Sequence, residues 1–135
     1  MELSAALLKI REAQTDGINY DLTTEDIIKK LEEWNQQCHF SIARVSKDTI
    51  DLRFQSLPND LDTFCQDIYE FCPDVIDQGY DCIPDMIEMA ENRGQEVNAE
   101  IQDLIAGVDL NAEEIGFILL KKDLPKRMQL TLWWD

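Results

Sequence analysis

Four aspartates supply the side chains whose type and spacing could do chemistry. Asp74, Asp77, Asp81 and Asp85 recur every three or four residues around a turn that contains proline and glycine. Carboxylates in such an arrangement can bind a hard cation such as calcium weakly, or can face the lysines and arginines of another protein. The sequence therefore predicts a carboxylate-rich binding site and leaves the cation and the protein partner open as alternatives.

Cysteine and histidine do not show the spacing of a metal site. Cys65 and Cys72 lie seven residues apart, Cys82 follows ten residues later, and Cys38 precedes His39, which is the only histidine. Zinc sites usually contain close ligand pairs such as Cys-x-x-Cys, and this sequence has none. We therefore expect no metal centre and no cofactor, and we interpret Cys65 and Cys72 as small core side chains.

The sequence shows no complete catalytic set. A thiol at Cys72 or Cys82 has no base near it in the sequence, and acidic surroundings raise the pKa of a thiol and lower its reactivity. No nucleophile elbow and no phosphate-binding glycine loop is present. A non-enzymatic protein is favoured, and an enzyme that uses Cys72, Asp74 and Gln78 stays open as an alternative.

The end of the chain contributes two adjacent tryptophans. Alternation along a strand places Trp133 and Trp134 on opposite faces of a sheet, and we expect Trp134 to be buried with Leu130 and Leu132. Trp133 would then be exposed, or covered by a loop or a partner. Because a tryptophan beside carboxylates is a common interface anchor, Trp133 joins the candidate binding residues.

The charges are unevenly distributed along the chain. Twelve bases face 28 acids, which gives a formal net charge of −16. Between Phe54 and Leu120 sixteen acids face a single base, Arg93, so this segment alone carries −15. Such a field disfavours nucleic acid and anionic membranes as partners and favours a basic protein or a hard cation. Solubility alone is the alternative explanation.

A chain of 135 residues indicates one domain, 1–135, that is large enough to bury a core. No stretch approaches the roughly 20 apolar residues of a membrane span. The apolar start is interrupted by Lys9 and Arg11, unlike a secretory signal. Four cysteines without such a signal are typical of reduced thiols, so we expect a cytoplasmic protein.

Hydrophobic periodicity predicts both helices and hairpins. Apolar residues at helical spacing predict helices over 3–15, 24–38, 61–72, 81–92 and 98–106. Alternation predicts one hairpin from strands 40–45 and 50–55, and a second from strands 116–121 and 128–134 around a turn at 122–126. Two hairpins can form one four-stranded antiparallel sheet with the helices on one face, which is an α+β fold. Without the N-terminal helix, which lies within residues 1–20, this order is that of a circularly permuted ferredoxin-like sandwich.

Three short motifs occur in an order that is shared with a known family. They are Phe71-Cys72-Pro73-Asp74, Gln78-Gly79 and Trp133-Trp134-Asp135, and with them the chain from Ile27 to Asp135 resembles a bacterial family catalogued as domain of unknown function 4253. The resemblance implies that Asp74, Gln78, Gly79 and Asp135 lie in one cluster, and it implies no activity. Relative to that family, residues 95–115 are an acidic insertion.

The leading hypothesis is an acidic, non-enzymatic binding protein that docks onto a basic protein surface. Its most concrete form is an immunity or inhibitor protein that covers the cationic cleft of a toxin or a nucleic-acid enzyme. A protein that binds calcium or another cation is the first alternative, and an enzyme is the second. The candidate binding residues are Asp74, Asp77, Gln78, Gly79, Asp81, Asp85, Trp133 and Asp135.

Overall fold

The computed structural model describes residues 3–17 and 20–134, and it has a mixed α+β architecture. The helices are α1 (Leu3–Ala13), α2 (Thr24–Asn35), α3 (Leu61–Phe71), α4 (Asp74–Asp77), α5 (Ile83–Asn92), α6 (Ala99–Ile105) and α7 (Ile115–Arg127), with a 3₁₀ turn at Tyr80–Cys82. The strands are β1 (Phe40–Val45), β2 (Thr49–Phe54) and β3 (Gln129–Trp133).

The three strands form one antiparallel sheet in the order β1-β2-β3. β1 and β2 are the first predicted hairpin, with Phe40 opposite Phe54. β3 lies on the other side of β2, with Leu130 opposite Leu52. The alternation predicted near the end of the chain is confirmed, because Leu130, Leu132 and Trp134 are all buried while Trp133 is half-buried.

The prediction of a fourth strand is wrong. Residues 116–121 lie within α7, and the predicted turn at 122–126 is the C-terminal part of the same helix. A short apolar run fits a buried helix as well as a strand, and only its surroundings decide between them. The sheet therefore has three strands in the described part of the chain, and the predicted four-stranded, permuted ferredoxin-like arrangement does not form.

The buried positions of α7 explain why this segment is helical. They recur at intervals of one, three or four residues, which places them on one side of the helix: Ile115, Gly116, Leu119, Leu120, Asp123 and Leu124. Pro125 lies near the helix end, and Met128 then adopts a left-handed conformation with φ 54°. The N–H of Met128 donates to the carbonyl of Leu124 at 2.8 Å. This cap turns the chain directly from α7 into β3.

Side-chain caps and a proline set the limits of two other helices. Thr23 and Asp26 form a capping box at the start of α2, in which each side chain accepts a hydrogen bond from the other residue's N–H. The side chain of Asp60 caps α3 by accepting from the N–H of Thr63 at 3.1 Å. Pro73 then ends α3, because proline lacks an N–H and excludes helical geometry from the residue before it.

The main core is centred on Trp34, which is fully buried. Its ring makes edge-to-face contacts with Phe64 and Phe71 at centroid distances of 5.2 and 5.4 Å, and Phe71 contacts Trp134 in the same way at 5.3 Å. The indole Nε1 of Trp34 donates to Asp67 Oδ2 at 2.6 Å. This aromatic group joins α2 and α3 to the end of β3.

A second, smaller core holds the acidic half of the chain together. Ile83 and Ile87 of α5 and Leu104 of α6 pack with Ile115 and Leu119 of α7. The lysines of α7 also hold α6, since Lys122 Nζ donates to the carbonyls of Asp103 and Ala106 at 3.3 and 2.7 Å. Lys126 forms an ion pair with Asp103. Residues 116–121, which were predicted to form a strand, thus belong to the helix against which α5 and α6 pack.

Candidate functional site

The cluster around Asp74 forms, but its aspartate is buried. Because α3 ends before Pro73, Asp74 takes the first position of the short helix α4. Asp74 is only 4% exposed. Its Oδ1 accepts hydrogen bonds from the hydroxyl of Tyr20 at 2.7 Å and from Nε2 of Gln78 at 3.2 Å. Hydrogen bonds of this kind satisfy a buried carboxylate. Asp74 therefore holds the turn through Tyr20 and Gln78, and its role as a binding residue stays a prediction.

Gly79 and the two tryptophans complete this cluster. A Cβ on Gly79 would lie 2.2 Å from the carbonyl oxygen of Val75 and 3.4 Å from the ring of Trp133. The Cys72 thiol donates to the carbonyl oxygen of Trp133 at 2.9 Å. The motif after α3 and the motif at the end of β3 are thus packed together. Asp135, the remaining predicted member, lies outside the described residues.

The other aspartates of the predicted series are exposed and do not converge. Asp77 accepts from the hydroxyl of Tyr69 at 3.2 Å, Asp81 lies against Gly116 of α7, and Asp85 lies in the first turn of α5. Within residues 3–17 and 20–134, no group of three or more His, Cys, Asp or Glu side chains is arranged to hold a metal ion. Cation binding remains a prediction that this geometry does not strengthen.

The thiol at Cys72 is buried, and burial is the main reason why it is a weak nucleophile. Removal from water raises the pKa of Cys72 to about 12 and that of Cys65 to about 11. Acidic surroundings were the cause of low reactivity expected from the sequence. At Cys72, however, the nearby Asp74 charge makes only a minor contribution to the raised pKa. The alternative of an enzyme with Cys72 as nucleophile gains no support from this environment.

We expect a thiol reagent at pH 8 to label the folded chain at Cys82 and to leave Cys72, Cys65 and Cys38 unlabelled. Cys82 is the only one of the four free cysteines that is not buried. Mass spectrometry of the labelled protein checks this, and a Cys82→Ser variant should lose the native labelling. Rapid labelling of Cys72 in the folded state would instead revive the thiol-enzyme hypothesis.

A groove of about 730 Å³ is lined by residues of β3, α5, α6 and α7, and it was not predicted from the sequence. Its lining includes Gly79 and Trp133 of the cluster around Asp74, and Lys126 and Arg127 of α7. Its walls include apolar side chains of α5 and α6, among them Met86 and Leu104. A groove of this volume with apolar walls and a few polar groups is typical of binding sites.

A buried polar network lies in the wall of this groove. Asp123 of α7 is 5% exposed and accepts a short hydrogen bond from the hydroxyl of Tyr80. The guanidinium of Arg127 lies 3.8 Å from the same carboxylate. Burial, and then the hydrogen bond to Asp123, raise the pKa of Tyr80, which stays a neutral hydrogen-bond donor. This network holds α7 against the 3₁₀ turn and so stabilises this wall of the groove.

The acids of the 54–120 segment are mostly at the surface, as the charge argument requires. Fourteen of the sixteen are exposed, while Asp67 is half-buried and Asp74 is buried. Three pair with lysines in the described part of the chain, namely Asp67 with Lys30, Asp62 with Lys121 and Asp103 with Lys126. Most of the excess negative charge therefore faces solvent without a base beside it.

Comparison with known families gives a match over nearly the whole chain. Residues 4–135 match the family described as Domain of unknown function (DUF4253). The chain belongs to the DUF4253 family. The match begins in α1, so the N-terminal helix also belongs to the DUF4253 unit, although the resemblance seen in the sequence began at Ile27. The status of residues 95–115 as an insertion relative to DUF4253 remains a prediction.

No curated protein and no solved structure matches the DUF4253 chain. In the residues that the structure describes, no helix has both the length and the apolar character that a bilayer crossing requires.

Two features of the candidate site of the DUF4253 chain were not predicted from the sequence. Tyr20, which donates to Asp74, is 54 residues away from it, and no local signal links the two. Asp123, read as part of a turn, is a buried member of α7. Its spacing of four and eight residues from Leu119 and Ile115 was the signal that could have placed it on the buried side of a helix.

Proposed function

We propose that this DUF4253 protein is an acidic, non-enzymatic binding protein that docks onto a basic surface of another protein. The observation that carries the proposal is the outer face of α5, where exposed carboxylates and exposed methionines occur together. The finer form of the proposal is an immunity or inhibitor protein whose carboxylates occupy the sites that phosphates would take in the partner's cleft.

The face of α5 follows from its helical spacing. Ile83 and Ile87 point into the second core, so the opposite side of the helix must face solvent. That side carries Asp85 and Glu88, both exposed, and neither forms an ion pair with any described base. Uncompensated carboxylates on a rigid helix provide long-range attraction for a cationic partner.

Two methionines add an apolar contact to this face. Met86 is 49% exposed and Met89 is 53% exposed, which makes them two of the most exposed large apolar side chains in the described chain. Methionine is flexible and polarizable and is often used on binding surfaces. Carboxylates that attract a basic protein and methionines that exclude water on contact are complementary parts of one docking surface.

We expect neutralisation of Glu88 and Glu91 on α5 to slow association with a basic partner by about fivefold at low salt, since steering depends on the local field. The variant is Glu88→Gln with Glu91→Gln. Products of the neighbouring genes are screened first for binding, and a basic protein that binds is the partner used. Stopped-flow association rates at low and high salt provide the measurement.

Glu12→Gln with Glu32→Gln is the matched control, because both residues are exposed and lie outside the acidic segment. It changes the net charge by the same amount, so it should slow association much less. Association that is insensitive to salt and equal in the two variants would contradict the proposal.

A further inference from the structure

We propose that the outer edge of β3 binds an extended, basic segment of the partner protein, which adds to the sheet as a fourth strand. This inference rests on the proposed function for the partner's positive charge, and it adds the place and the conformation in which the partner binds. In strand addition, main-chain hydrogen bonds provide affinity and neighbouring pockets provide specificity.

The register of the sheet shows which groups of β3 point outwards. The N–H of Phe54 donates to the carbonyl of Met128 at 2.8 Å, and the N–H of Trp134 donates to the carbonyl of Asp48 at 3.0 Å. In an antiparallel pair, every second residue bonds to the neighbouring strand. The even-numbered residues 128–134 therefore bond towards β2, and Gln129, Thr131 and Trp133 direct their N–H and carbonyl groups away from it.

The edge of the strand is open at two of these three residues. The carbonyl of Trp133 accepts from the Cys72 thiol, so the cluster around Asp74 closes that end of the strand. The N–H and carbonyl groups of Gln129 and Thr131 form no hydrogen bond with any described residue. A strand edge of this kind is a ready template for another strand, and proteins usually cover or blunt it.

The groove runs along this edge. Its lining includes the consecutive residues Gln129, Leu130 and Thr131, whose side chains alternate between the two faces of the sheet. A pocket can contact consecutive residues of one strand only from its edge, because neighbouring side chains point to opposite faces of the sheet. The open N–H and carbonyl groups therefore face a space of about 730 Å³ that is also lined by residues of α5 and α6.

The chemistry of the groove favours a basic guest. Lys126 and Arg127 each lie beside a carboxylate, Asp103 and Asp123, so their charges are already compensated. Glu100 on α6 adds a third, exposed carboxylate to the lining and forms no ion pair with a described base. The lining thus carries a net negative charge. Met86 belongs both to this lining and to the exposed apolar residues of α5, which joins the groove to the proposed docking surface.

A single extended segment suits this space better than a second copy of the chain. A second copy carries the same net charge of −16, so like-charge repulsion opposes the approach of two such edges. An extended guest segment of three or four residues spans about 10–14 Å, the length over which Gln129 and Thr131 offer their groups.

The test uses a synthetic heptapeptide of alternating valine and lysine, titrated into the full chain labelled with ¹⁵N. We expect the peptide to bind and the amides of Gln129 and Thr131 to become protected from hydrogen exchange. The same peptide with alternate amides N-methylated should bind at least tenfold more weakly, because it cannot complete the ladder. Absence of binding at millimolar peptide, or binding without protection of these amides, would overturn the inference.

A pair of variants isolates the contribution of the strand edge. Thr131→Pro removes the outward N–H, and proline is tolerated in an edge strand at such a position. Thr131→Val keeps this N–H but loses the same side-chain hydrogen bond to Asp51 (2.7 Å). We expect about tenfold weaker peptide binding in the proline variant than in the valine variant. Equal affinities would overturn strand addition, and the N-methylated peptide decides the question if the proline variant does not fold.

The charge of the guest is tested separately, so that the two proposals can fail independently. A heptapeptide of alternating valine and glutamate should bind at least tenfold more weakly than the lysine peptide. Equal binding of both peptides with protection of Thr131 would overturn the basic guest while strand addition stands, and the association rates of the α5 variants decide the proposed function separately. Concentration-dependent dimerisation that protects Thr131 without peptide would assign the edge to a second copy instead.

Discussion

Substitution of Trp34 by alanine is expected to lower the free energy of unfolding by about 4 kcal/mol. Trp34 is fully buried between Phe64 and Phe71, and its removal leaves a cavity where α2, α3 and the sheet meet. It also leaves Asp67 without the indole donor at 2.6 Å. Because a domain of this size is stable by only about 5–15 kcal/mol, the variant should unfold at much lower urea concentrations.

Trp34→Phe is the control for this prediction. It keeps an aromatic ring in the core but removes the indole N–H, so its expected cost is about 1–2 kcal/mol. Urea unfolding followed by far-UV circular dichroism measures both variants. If Trp34→Ala and Trp34→Phe cost the same, then the hydrogen bond to Asp67, and not the aromatic packing, would dominate the contribution of this residue.

Substitution of Gly79 by alanine is expected to cost about 3 kcal/mol and to lower the melting temperature by about 10 °C. The added Cβ would lie 2.2 Å from the carbonyl oxygen of Val75, and a backbone atom cannot move aside as a flexible side chain can. The resulting shift would separate the end of α4 from Trp133 and disturb the lining of the groove.

Gly107→Ala separates this steric effect from a general effect of removing a glycine. Gly107 has φ 74°, and no atom of a described residue lies within 4 Å of an added Cβ, so its left-handed backbone is what opposes the substitution, at about 1 kcal/mol. Differential scanning calorimetry compares the two variants. A smaller loss of stability for Gly79→Ala than for Gly107→Ala would contradict the close packing described here.

The fate of α7 shows where prediction from the sequence fails. The run Gly116-Phe-Ile-Leu-Leu is apolar on every side, so its periodicity does not separate a strand from a buried helix. Pro125 suggested a turn, yet a proline near the end of a helix removes only one late hydrogen bond. Packing of Ile115 and Leu119 against α5 and α6 decided the conformation.

The same error hid the groove. A fourth strand from residues 116–121 would have paired with the strand that follows it, whereas the helix leaves the edge of β3 open. The burial of Asp74 was not predicted, for a related reason. Its turn was placed correctly, but its burial depends on Tyr20 and Gln78, and only folding brings Tyr20 into contact with it.

The sequence by itself determined the features that depend on local periodicity and composition: the early helices, the β1-β2 hairpin, the helix end at Pro73, the burial of Trp134 and the negative charge of the 54–120 segment. These follow from side-chain spacing, proline geometry and the number of charges, none of which requires distant contacts. Only the tertiary structure decided that residues 116–121 are helical, which aspartates reach solvent and that β3 has an open edge. These depend on which surfaces pack together, and the chain specifies that through contacts between residues far apart in the sequence.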